Sequence, residues 1–172
     1  MEIPPETSCE FVNSTLKCKK GSNELSRKIE VPGMEVRIED GNVIFKCEAG
    51  NKNQFKIMKS QIAHLNNMFA GLSENHVYKL EAANVHFPMT LKVEGDKLVI
   101  GNFLGEKTPR FAKILPGVKV DVKGQKITVS SPDKEAAGQT AANLEKATRI
   151  KYRDRRVFQD GIFLVEKPGE SK

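Results

Sequence analysis

The 172-residue chain has no tryptophan, and only 6% of its residues are aromatic. The aromatic strand signature of RNA-recognition motifs is absent, which argues against base-by-base reading of a nucleic acid. Helix-turn-helix, zinc-finger and basic-zipper patterns are missing too. Cys9, Cys18 and Cys47 are odd in number and contain no C-x-x-C pair, so neither a disulfide framework nor a zinc site is expected, only buried or incidental thiols. No apolar run approaches the roughly 20 residues of a membrane-spanning helix. The opening segment MEIPPETSCE is acidic and lacks an apolar signal core, so the chain reads as soluble and intracellular, with no membrane partner. The segment GEKTPR at 105–110 lacks the remainder of a phosphate-binding G-x-x-x-x-G-K-[ST] loop, and no dinucleotide fingerprint appears.

Groups suited to catalysis are scarce as well. His64 lies among apolar helix positions and reads as a packed or surface histidine, while His76 and His86 flank strands with no second ligand nearby. Asp154, Asp160 and Glu166 could be imagined as the acid cluster of a metal-dependent nuclease. Asp154, however, sits inside a run of arginines, where it is expected to hold guanidinium groups through ion pairs. No enzyme activity, cofactor, metal or small-molecule substrate is expected.

What the chain does have is positive charge, in one half. Residues 1–85 carry 11 Lys/Arg and 11 Asp/Glu, whereas residues 86–172 carry 17 and 11, so the whole net charge of +6 belongs to the second half. Such segregation points to one half meeting a polyanion. Its densest stretch is RIKYRDRR at 149–156, with five cations in eight positions, followed by the apolar IFLV at 162–165. In an extended chain Arg149, Lys151, Arg153 and Arg155 project to one side. In a continuing helix Arg149, Arg153 and Arg156 share a face. Either way a cationic ridge results, and arginine's planar fork suits phosphate. Tyr152 serves either to stack on a base or ribose or to cover the core. Lys107, Arg110 and Lys113 form a second basic patch around the exposed loop 105–110. With phosphates doing the anchoring, the expected partner is a structured RNA recognised by backbone and shape. Asp160-Gly161 is expected to turn the chain from ridge to strand, with glycine at positive φ.

The sequence also repeats itself. VPGMEVRIEDGNVIF (31–45) aligns without a gap on LPGVKVDVKGQKITV (115–129), at an offset of 84. Both alternate apolar and polar residues, as half-buried strands do, and both carry a glycine-containing hairpin turn, at 39–42 and 123–126. A helix follows each hairpin. The first has the stripe Phe55, Met58, Ile62, Leu65 and Phe69 with Gly71 as its stop. The second has Ser131 as N-cap, Pro132 in the first turn, and the stripe Ala137, Ala141 and Leu144. Further strands are expected at 15–19, 77–82, 89–93, 98–101 and 162–165. The expected architecture is α+β, two similar domains arising by internal duplication, each an antiparallel-rich sheet packed with one helix. The expected boundaries are 1–82 for the first domain and 83–172 for the RNA-binding one.

TRIKYRDRRVFQDGIFLVEK (148–167) resembles the C-terminal signature of the family formed by the sixth protein of the large ribosomal subunit, in its archaeal-type form. The core R-x-F-x-D-G is present as Arg156, Phe158, Asp160 and Gly161. HFPMTLKVEGDKLVIGNFLGEK (86–107) and GQTAANLEKATRI (138–150) are similar to the same family, with Lys146 where glutamine is more usual. The resemblance implies a duplicated α+β protein without enzymatic activity. It implies binding of large-subunit ribosomal RNA mainly through the second domain, near the sarcin–ricin loop and the region where translational GTPases dock. The first domain is then expected to face neighbouring large-subunit proteins, and the protein to be cytoplasmic and ribosome-bound. The reading that competes from the residues is a free-standing RNA-binding regulator or chaperone.

Overall fold

The computed structural model describes residues 1, 3–21, 23–29, 33–39, 41–47, 50–85, 87–154 and 156–169. The chain divides into two units, Met1–Asn75 and His76–Lys172.

In the first unit β1 (Ser8–Val12), β2 (Thr15–Lys20) and β3 (Asn23–Lys28) form an antiparallel meander, followed by the hairpin of β4 (Glu35–Glu39) and β5 (Asn42–Lys46). Helix α1 (Lys52–Ser73) closes the unit. Its core gathers Leu16, Ile29, Val43, Leu65, Phe69 and Leu72. The helix starts with a capping box: the Asn51 side chain accepts from the backbone N–H of Gln54 at 2.9 Å, and the Gln54 side chain accepts from that of Asn51 at 3.0 Å. The apolar stripe is buried only in the later turns. Leu65 and Phe69 are in the core, Met58 and Ile62 are half-buried, and Phe55 is exposed. Gly71 does not stop the helix. It is buried within the last turn, and the helix ends at Glu74, whose N–H donates to the Ala70 carbonyl.

Two of the three thiols also depart from expectation. Cys9 and Cys18 sit directly opposite one another across β1 and β2, with Cα atoms 4.2 Å apart, and form a disulfide. Their nine-residue separation acquires meaning only once the hairpin register is fixed. Cys47 remains a thiol and donates to the Gly33 carbonyl.

The second unit begins with β6 (His76–Ala83). It continues with the meander β7 (Thr90–Glu94), β8 (Lys97–Gly101) and β9 (Arg110–Lys113), then the hairpin β10 (Lys119–Lys123) and β11 (Lys126–Ser131). Helix α2 (Lys134–Ala147) and strand β12 (Gly161–Glu166) complete it. One sheet has the order β10-β11-β6-β12 and the other β7-β8-β9, and α2 packs on both. The division falls before β6 rather than at 82/83. This strand pairs with β11 and β12 on either side and buries Leu80 and Ala82 in the second core, so it cannot be assigned to the first unit. The charge excess stays with the second unit: His76–Lys172 holds 18 basic and 12 acidic residues, again the whole excess of +6.

The two hairpins share one register at the offset seen in the sequence. Val36 faces Phe45 and Ile38 faces Val43, as Val120 faces Val129 and Val122 faces Ile127. Ahead of each, Gly33 and Gly117 have φ of 73° and 76°, a conformation that side chains with a Cβ adopt at a cost. Pro32, the partner of Gly33 in the repeat, lies outside the described residues.

Helix α2 is capped by Asp133, whose carboxylate accepts from the N–H of Glu135 at 2.9 Å. Ser131, expected at that position, instead ends β11. Its buried hydroxyl donates to the Gly117 carbonyl and accepts from the N–H of Asp133, so it ties the strand end to the helix start. The stripe Ala137, Ala141 and Leu144 is fully in the core, where small side chains let the helix approach the sheet.

Candidate nucleic-acid interface

The cationic run is neither strand nor helix. Helix α2 stops at Thr148, and the described residues of the stretch 149–160 form an irregular loop before β12 begins. Both ends of this loop are fastened to the core. At its start the buried Thr148 hydroxyl donates to the Glu145 carbonyl and accepts from the N–H of Ile162 at 2.9 Å. Glu145 extends the same seam, its carboxylate accepting from the N–H of Leu164 at 2.9 Å. These bonds occupy donors on the outer edge of β12, an edge strand that would otherwise invite pairing.

At the far end Asp160 is buried, and its carboxylate accepts from the backbone N–H of Val85. Gly161 is not a positive-φ turn. It is the first residue of β12, and a Cβ there would come within 3.1 Å of the Phe163 ring. Its glycine is explained by close approach rather than by conformation.

Within the loop, Asp154 organises the backbone, and among the described residues no guanidinium group pairs with its carboxylate. Its carboxylate accepts from the N–H of Arg156 at 2.9 Å, and its carbonyl accepts from those of Val157 and Phe158. The Arg153 guanidinium lies 4.8 Å from the centre of the Phe158 ring. Arg149, Lys151, Arg153 and Arg156 are exposed, and among the described residues no acid pairs with Arg149, Lys151 or Arg156. Tyr152 is wholly exposed, with φ of 60°, and so covers no core. Arg155 lies outside the described residues.

The second patch comes apart. Lys107 and Lys113 are exposed, but Arg110 turns inward from β9 and every donor group of its guanidinium is engaged. Nε and one terminal nitrogen grip Glu106 at 2.8 and 2.6 Å, and the other terminal nitrogen donates to the carbonyls of Ala147 and Arg149 at 3.0 and 3.2 Å. The same guanidinium stacks on Phe103, 4.3 Å from the ring centre. Arg110 is therefore a clamp that fixes where the loop leaves the helix, not a free phosphate ligand. The Ala147 carbonyl it holds belongs to the helix C-terminus, where a cation is favoured. The bond from Arg110 holds the Glu106 carboxyl below its usual range, against the opposing effect of burial, with smaller contributions from the charges of Arg110 and Arg153.

The three carboxylates once imaginable as a metal cluster have separate tasks, since Glu166 pairs with Lys79 at 2.8 Å on the sheet. His86 lies outside the described residues. Sequence reasoning missed the Glu106–Arg110 pair, although its four-residue spacing was visible, and the seam at Thr148 and Glu145. It also missed an open cavity of about 640 Å³ beside the loop, lined among others by Lys146, Arg149, Phe158 and Phe163.

Residues 87–161, which include the clamp and the whole loop, match the family described as Ribosomal protein L6. The chain is 44% identical over 170 residues to the large ribosomal subunit protein uL6 of Methanococcus vannielii, covering 99% of this chain and 93% of that protein. It is 43% identical over 167 residues to the protein of the same name from Methanosarcina mazei, covering 97% and 95%.

Proposed function

From the premise that this chain belongs to the ribosomal protein L6 family, whose members are structural and not enzymes, we propose that it is a constituent of the large ribosomal subunit and binds large-subunit ribosomal RNA through its second unit. The observation that carries the reading is the loop 149–160. It is fastened at both ends and presents Arg149, Lys151, Tyr152, Arg153 and Arg156 outward, in the unit that holds the whole charge excess. A rigid seat lowers the entropy lost when cations are ordered against phosphates. Arg155 belongs to the same run by sequence, and Lys107 and Lys113 are peripheral contributors.

The finer assignment follows the resemblance of 148–167 to the family's C-terminal signature: contact near the sarcin–ricin loop, close to where translational GTPases dock, with neighbouring large-subunit proteins against the first unit. The location is then cytoplasmic and ribosome-bound. The common hairpin register at an offset of 84 supports an origin of both units by duplication. The test is co-sedimentation with large subunits through a high-salt wash, combined with cross-linking mapped onto their RNA. Cross-links from the loop to large-subunit RNA in washed particles are expected. A protein that washes off, yet binds assorted structured RNAs when free, would instead be an independent regulator or chaperone.

A further inference from the structure

The outer face of the β7-β8-β9 sheet carries a second surface, separate from the loop. Register places Lys92 opposite Val99 and Val99 opposite Phe111, so these three form one row across the strands. The adjoining row runs from Glu94 through Lys97 to Lys113. The opposite face holds Leu98, Ile100 and Ala112 in the core, so both rows point away from it. Phe111 is 59% exposed, at the level of the sheet where a soluble protein would ordinarily place a polar residue. Lys97 and Lys113 face one another directly, an arrangement that costs stability in the free protein. Lys92 is neutralised by Glu94 at 2.8 Å, but among the described residues neither Lys97 nor Lys113 has an acidic partner. An exposed ring beside a pair of lysines that repel one another is chemically complementary to a polyanion with flat π-faces.

We propose that this sheet face binds an unpaired stretch of RNA, a base stacking on Phe111 while Lys97 and Lys113 hold the flanking phosphates. An acidic polypeptide satisfies the lysines but offers the ring no comparable stacking surface, whereas every nucleobase does. Stacking of this kind is tolerant of sequence, so the missing base-reading signature is no obstacle. The proposal rests on the reading of the second unit as RNA-binding and extends it from the loop to a sheet face, and it is tested by different substitutions.

The chain has no tryptophan, so Phe111→Trp introduces a single tryptophan at the decisive position, whose emission is excited apart from that of the two tyrosines. In the full-length variant, single-stranded polyuridylate is expected to quench its emission, and polyglutamate to leave it unchanged. Adding Lys97→Gln and Lys113→Gln should make the salt dependence of polyuridylate binding shallower by about 1.4 in log K against log salt. Phe111→Ala in the parent should weaken that binding about five- to hundredfold, with an unaltered melting temperature. Emission indifferent to polyuridylate, or a salt slope unmoved by the paired glutamines, would overturn the proposal. Quenching by polyglutamate as strong as by polyuridylate would reassign the face to an acidic protein. If loop substitutions weaken binding while these do nothing, the loop reading stands and this one fails; the reverse result separates them the other way.

Discussion

Arg110 shows how one side chain can look like a ligand and act as a fastener. Its planar fork reaches Glu106, Ala147 and Arg149 at once, which lysine's single ammonium cannot do. Arg110→Lys should therefore destabilise the second unit by about 1–3 kcal/mol in denaturant unfolding, not remain silent as a surface exchange would. The pH dependence has a definite sign. The folded-state pKa of Glu106 lies below its unfolded value, so its contribution is present above the ordinary glutamate range, near 4.3, and is lost as pH falls through the lower folded value. The stability gap between parent and Glu106→Gln should accordingly be constant at neutral pH and close below about pH 4. A gap that persists in acid would mean that shape rather than charge holds the pair. Gly161 is a second case. Gly161→Ala should cost less than about 1 kcal/mol in denaturant unfolding, because the new methyl meets only the edge of the Phe163 ring, which can shift toward solvent. That ring is partly exposed and can be trimmed, so Phe163→Leu in the same chain should restore much of the loss.

The elements were legible to the degree that their own residues decide them. The hairpins were readable because alternation and turn glycine act locally, and their registers agree with the repeat. The helices were readable as periodic stripes, but which turns of α1 are buried depends on how far its sheet extends. Ile62 and Leu65 have equal claims from periodicity, yet only Leu65 is fully buried. Leu65→Ala and Leu144→Ala should each cost about 2–5 kcal/mol, with Ile62→Ala clearly below either. Equal losses at Ile62 and Leu65 in urea unfolding would count against the observed helix placement. The start of α2 departs from expectation because a hydroxyl can serve more than one partner. Ser131 has the chemistry of a cap but is claimed by the Gly117 carbonyl, which leaves Asp133 to cap the helix. The fate of β6 was unreadable for a different reason. Its neighbours β11 and β12 lie far along the chain, and no local pattern names a strand's partners.

At the scale of the molecule, what was legible of the interface was its address rather than its geometry. Counting charges located the basic half, and the count holds for the unit that the structure delimits. Which cations are available was not countable, because Arg110 and Arg153 differ only in what folds against them. The distinction between placed and merely present charge can be measured directly. Arg149→Gln, Lys151→Gln and Arg156→Gln together remove three charges from the loop. Lys52→Gln, Lys56→Gln and Lys59→Gln remove three from the exposed start of α1 in the neutral unit. Both variants fall from +6 to a net charge of +3, so any effect of bulk charge on RNA binding must be the same in each. If the loop is the anchoring surface, only its variant should lose affinity for large-subunit RNA. Its slope of log K against log salt should flatten by about 2 to 3, one increment of 0.7 to 0.9 for each phosphate released. The α1 variant should keep the parent's slope, and both should melt near the parent, since exposed charges contribute little to stability. Equal flattening in the two variants would reduce the segregation of charge to a solubility effect, because RNA would then be responding to the total and not to the place.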